Sequence, residues 1–61
     1  MLKFAEDLLH EIRRMKRDTE QLVISGSVKS MEQYKHLMGR LEGYQFVEDV
    51  IKERLDKGEL D

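Results

Sequence analysis

The chain has no cysteine, no proline and no tryptophan, and only four other aromatic residues, two tyrosines and two phenylalanines, in 61 positions. Without cysteine there is no disulfide to staple a small scaffold and no thiol nucleophile. Two histidines, His10 and His36, are too few for a zinc site without thiolates. No charge sign dominates: 11 basic against 13 acidic residues leave a net charge of −2, which argues against a dedicated polyanion binder. The longest apolar run is Leu22-Val23-Ile24, far below the roughly 20 residues needed to span a membrane. No charged-then-apolar leader is visible, so the expectation is a soluble, non-secreted protein, in the cytoplasm or inside a virion.

What is present is charge and helical periodicity. Charged residues make up 39% of the chain. Together with the missing proline, this reads as long solvated helices within a single domain, residues 1–61. A lone domain of this size buries only about 60% of the surface its unfolded chain exposes, so self-association or docking on a larger protein is expected to complete it.

A first helix is expected over about 2–24. Ala5, Leu8, Ile12, Met15, Thr19 and Leu22 recur at alternating steps of three and four, a nearly heptad stripe that Leu2, Leu9 and Val23 widen on one flank. The opposite face carries Glu6, His10, Arg13, Arg14, Arg17 and Gln21. Residues 25–30 form a turn. There Gly26 can adopt the left-handed conformation, Val28 can pack beneath the chain, and Ser30 with Gln33 can form a capping box. A second helix follows over about 31–57. Gly58 ends it, leaving Glu59, Leu60 and Asp61 as a short frayed tail. So short a connection makes the helices antiparallel neighbours. The expected fold is all-α: a coiled-coil-like two-helix hairpin whose core is Leu8, Ile12, Met15, Leu22, Leu37, Leu41, Tyr44, Ile51 and Leu55.

The second helix is apolar on more than one side. Tyr34, Leu37, Leu41, Tyr44, Ile51 and Leu55 form one stripe, interrupted by Glu48 in the same register. Glu48 is expected at an interface edge or displaced by Val47; if buried, it needs an arginine or lysine. Gly39, Gly43, Phe46 and Val50 form a second group nearly opposite, with Val47 between. The polar remainder is a narrow wedge around Lys35, Glu42, Asp49 and Glu53. The first helix can cover only one of these sides. Each interior glycine costs about 1 kcal/mol relative to alanine. Spaced by four, the two glycines make a flat strip for close approach of another protein; the alternatives are close packing of the first helix or simple tolerance of glycine there. Contact with another protein is favoured, because they lie off the main stripe.

Other constellations have ordinary explanations. Arg13, Arg14 and Arg17 could contact nucleic-acid phosphates. However, Arg14 can pair with Asp18 and Lys16 with Glu20, and no aromatic is interleaved for base stacking. A solvated charged face is the better account. The histidines lie on different helices, the serines serve the turn, and Glu48 and Asp49 point to different faces rather than forming an acid–base pair. The expectation is a non-enzyme with no cofactor, metal or small-molecule substrate.

The segment from Gly26 to Leu55 carries a glycine-containing turn, Ser25-Gly26-Ser27-Val28, then Glu32-Gln33-Tyr34-Lys35, Leu37, Gly39, Leu41 and Gly43. In these features it resembles a group of very small proteins encoded by tailed bacteriophages, over about half the chain. The resemblance implies a minor structural or assembly protein at the capsid, portal or head–tail junction. The partner would be a larger virion subunit, a second copy, or both, contacted through Gly39, Gly43, Phe46, Val47 and Val50. The alternatives are a nucleic-acid-binding or regulatory hairpin dimer using Arg13, Arg14 and Arg17, and a bare four-helix bundle of two hairpins.

Overall fold

A computed structural model describes residues 2–58. The frayed tail expected at Glu59, Leu60 and Asp61 lies outside the described residues. Two helices, α1 (Leu2–Ile24) and α2 (Met31–Asp56), pack against each other as a hairpin. Its extents are 43 × 14 × 12 Å. The radius of gyration is 13.9 Å, against about 10.5 Å for a compact domain of this length, so the molecule is a rod.

The ends of the helices follow from local chemistry. Ser30 has extended backbone and its Oγ accepts from Gln33 N–H at 3.1 Å, capping α2. The reciprocal bond is displaced by one residue: Gln33 Oε1 accepts from Lys29 N–H at 2.9 Å, so the box closes on the residue before the cap. Gly26 and Gly58 are left-handed, at φ 79° and 71°. At α1's end, Ser25 N–H donates to the Gln21 carbonyl and Ser25 Oγ to the Leu22 carbonyl, occupying acceptors the helix leaves open. Val28 is half-buried beneath the turn.

The packed face of α1 differs from the expected one. Two heptad stripes share Ala5, Ile12 and Thr19. One continues through Leu8, Met15 and Leu22, the other through Leu9, Lys16 and Val23. The hairpin uses the second. Ala5, Leu9 and Thr19 are buried, and Ile12, Lys16 and Val23 half-buried. Leu8 and Leu22, expected in the core, are 40% and 44% exposed, and Met15 is only half-buried. On α2 the expected stripe holds from Leu37 onward, while Tyr34, expected to begin it, is 42% exposed. Leu37 and Ile51 are buried, while Leu41, Tyr44 and Leu55 are half-buried.

Glu48 supplies the physical reason. It keeps its place in the α2 stripe and is 7% exposed, so Val47 does not displace it, and Val47 is 38% exposed. A carboxylate in that position needs cations within reach. The register that turns Lys16 toward α2 supplies one and brings Arg13 to the same edge. Met15 in that place would have left Glu48 without Lys16. Thr19, 1% exposed, is accommodated by donating its hydroxyl to the Met15 carbonyl at 2.9 Å. Among the described residues, no buried polar side-chain atom lacks a hydrogen-bond partner.

Candidate protein-binding site

The hairpin presents three distinct lateral surfaces. The first is the polar edge around Glu48. Lys16 Nζ donates to Glu48 Oε1 at 2.7 Å and to Gln45 Oε1 at 2.9 Å, and Arg13 Nε donates to Glu48 Oε2 at 3.0 Å. The Lys16 hydrogen bond, then that of Arg13, holds the Glu48 carboxyl below the usual glutamate range, against burial, which pushes it up. Lys16 therefore bonds across the hairpin, in place of the expected i,i+4 pairing with Glu20. This network is a clamp between the helices, and no sequence signal located it beyond the acid in the stripe.

The basic cluster is largely committed. Arg13 is in the clamp. Arg14 donates to Asp18 at 2.8 Å and also bonds Glu11, an exposed pairing that lowers the Glu11 pKa and raises that of Arg14. Arg17, with His10 and Arg13, lines a shallow open groove. Three cations that sequence reasoning grouped are thus given different tasks, and two of them already hold carboxylates.

The second surface is the outer side of α2. At about 100° per residue, Gly39, Phe46 and Val50 lie roughly opposite the Leu37–Tyr44–Ile51 stripe. Phe46 is 70% exposed. A Cβ built on Gly39 or Gly43 would meet nothing within 4 Å. Close packing against α1 is therefore not the reason for either glycine. Gly43 and Val47 turn toward one edge, so the five residues form a strip rather than a single line.

The third surface went unrecognised in the sequence. Leu8, Met15 and Leu22 each precede a core position of α1, and Arg40, Val47 and Arg54 each precede one of α2. In an antiparallel pair the two helices turn in opposite senses when viewed from one end, so these residues share one edge, across the rod from the Glu48 clamp. Phe4, 64% exposed, extends the same edge. Arg40 donates to the Tyr44 hydroxyl at 2.9 Å and lies 5.7 Å from its ring centroid. The signal that could have found this edge was the redundancy of α1's apolar positions: one set had to remain outside.

Among the described residues no group of three or more His, Asp or Glu side chains could hold a metal ion, and no helix is long and apolar enough to cross a membrane. No protein-family model, no curated protein and no solved structure matches this chain.

Proposed function

We propose that this chain is a non-catalytic protein-binding hairpin, a structural or assembly component that docks on a larger subunit through the outer side of α2. The observation that carries the reading is the open glycine strip beside an exposed aromatic. Gly39 and Gly43 have free space where a side chain would stand, and Phe46 is 70% exposed next to Val50. Interior glycine weakens a helix, and nothing within the hairpin uses either one. A strip without side chains lets a partner backbone come close while Phe46 fills a pocket on the partner; aromatic anchors of this kind dominate binding energy. The phage setting, with a capsid, portal or head–tail junction subunit as partner and the virion or host cytoplasm as location, rests on the resemblance of Gly26 to Leu55.

The test is Gly43→Leu. Leucine has room and better helix propensity, so the isolated chain keeps or gains helicity, by about 1 kcal/mol at that position. Incorporation into the particle, or capture of the purified subunit, is expected to be lost. Normal incorporation of this variant would remove the outer side of α2 as the contact.

A further inference from the structure

The edge formed by Leu8, Met15, Leu22 and Val47 has a different geometry from the glycine strip, and its occupant can be argued separately. Helix α1 is apolar at most of its core positions, and Phe4, Leu8, Met15 and Leu22 stand immediately before Ala5, Leu9, Lys16 and Val23. That three-in-seven pattern belongs to helices of larger bundles, whereas a two-helix seam needs only two in seven. Leu8 and Leu22 are 40% and 44% exposed, Phe4 64% and Val47 38%. These apolar side chains run along most of the rod on one edge, and the ion clamp occupies the other.

We propose that this edge is covered by a second copy of the chain, making a four-helix bundle with both turns at the same end and α1 of each copy against α2 of the other. Two observations select this occupant.

The first is area. A compact protein of 7.3 kDa exposes about 4,200 Å², whereas this chain exposes 4679 Å². Two hairpins merged into a body as compact as a typical protein of twice the mass would remove about 2,400 Å² from water. Stable complexes bury about 1,200–2,000 Å², so a second hairpin is large enough to form one.

The second is charge. Beyond the apolar residues, the α1 rim of this edge carries Glu11 and Asp18, which share the single cation Arg14 and keep one net negative charge, while the α2 rim carries Arg40. Each hairpin therefore has one acidic and one basic rim. Placing α1 on the partner's α2 sets acidic on basic twice. Because the turns coincide, it brings Asp18 to the level of Arg40. The other two-fold arrangement, α1 on α1 with turns at opposite ends, sets the two acidic α1 rims against each other, leaves Arg40 with no acidic rim opposite, and is disfavoured by like charge. The dimer leaves Phe46 and Gly39 facing outward. It shares Val47 with the glycine strip but rests on Leu8, Met15 and Leu22 of α1, and it stands if that strip binds nothing.

Sedimentation equilibrium of the purified full chain at neutral pH, with circular dichroism at matched concentration, tests this. The expected result is a helical dimer at about 100 µM. Leu8→Gln with Leu22→Gln is expected to raise the dissociation constant at least about 100-fold, while Phe46→Ser leaves it within about threefold. Arg40→Glu, an exposed change that spares both apolar faces, is expected to weaken the dimer about fivefold. A helical monomer at that concentration would overturn the proposal, as would an assembly larger than two. Loss of the dimer in Phe46→Ser with retention in Leu8→Gln, Leu22→Gln would move the interface to the outer side of α2. Tighter association of Arg40→Glu would overturn the arrangement, and that reading survives if the leucine variant fails to fold.

Discussion

Replacing Lys16 by methionine is expected to damage the hairpin more than replacing Glu48 by leucine, although both break the same ion pair. The asymmetry comes from burial. The Glu48 side chain is 9% exposed, whereas those of Lys16 and Arg13 are 23% and 39% exposed. In Lys16→Met the carboxylate keeps Arg13 on Oε2 but has nothing on Oε1, and it sits too deep to recover full hydration. A buried carboxylate missing one charge-assisted hydrogen bond costs about 1–2 kcal/mol, after discounting for the remaining partner and the partial exposure of the site. In Glu48→Leu the two cations turn their ends to water while their stems stay packed. An apolar residue then joins the α2 stripe, and the net change is expected within about 1 kcal/mol of zero. The double variant Lys16→Met, Glu48→Leu holds no buried charge and should be at least as stable as the wild-type chain, giving a coupling energy of about 1–2 kcal/mol. Urea denaturation followed by circular dichroism measures all four stabilities, at one fixed concentration because association shifts the apparent value. If Glu48→Leu proves the more damaging change, or if the two effects simply add, Glu48 is not held by Lys16 as argued.

The same clamp sets a pH dependence. The Glu48 carboxyl binds its proton less readily in the folded chain than in the unfolded one. Its contribution is therefore present above the ordinary glutamate value of about 4.3 and is lost as pH falls through the lower folded value. Thermal melts between pH 7 and 3 should show that loss on the acid side, and Glu48→Gln should flatten it. At the turn, Gly26→Ala is expected to cost about 1–2 kcal/mol, all of it conformational, since φ is 79° and a Cβ there meets nothing within 4 Å; a cost near zero in denaturation would show that the left-handed turn is not maintained. Thr19→Val should change stability by less than about 1 kcal/mol, because the hydroxyl removed is satisfied within its own helix. A loss of several kcal/mol on melting would mean that the hydroxyl has a second partner across the hairpin.

Helix positions, turn and antiparallel order were legible in the sequence because each depends on local chemistry. Apolar residues recur at steps of three and four, Gly26 marks the end of one helix, and Ser30 with Gln33 marks the start of the next. The expected second helix, 31–57, and the observed Met31–Asp56 differ by one residue, which is within ordinary fraying. The second apolar side of α2 was also legible, since Gly39, Gly43, Phe46 and Val50 recur on one side of the wheel. Open space at both glycines then removed the account in which they pack on α1, leaving contact with a partner or simple tolerance.

Which face of α1 turned inward was not legible. The stripes through Leu8, Met15, Leu22 and through Leu9, Lys16, Val23 share Ala5, Ile12 and Thr19, and hydrophobicity alone favours the first. Only the packed pair could choose, because the deciding term is long-range. Glu48 lies 32 positions from Lys16 and 35 from Arg13 in the chain, and its carboxylate is tolerated in the seam only where those cations meet it. Local periodicity therefore determined that this protein is a helical hairpin with more apolar surface than a hairpin can bury. The tertiary pairing decided that a half-buried lysine joins the seam, that Leu8 and Leu22 stay outside, and thus which edge is left for a partner.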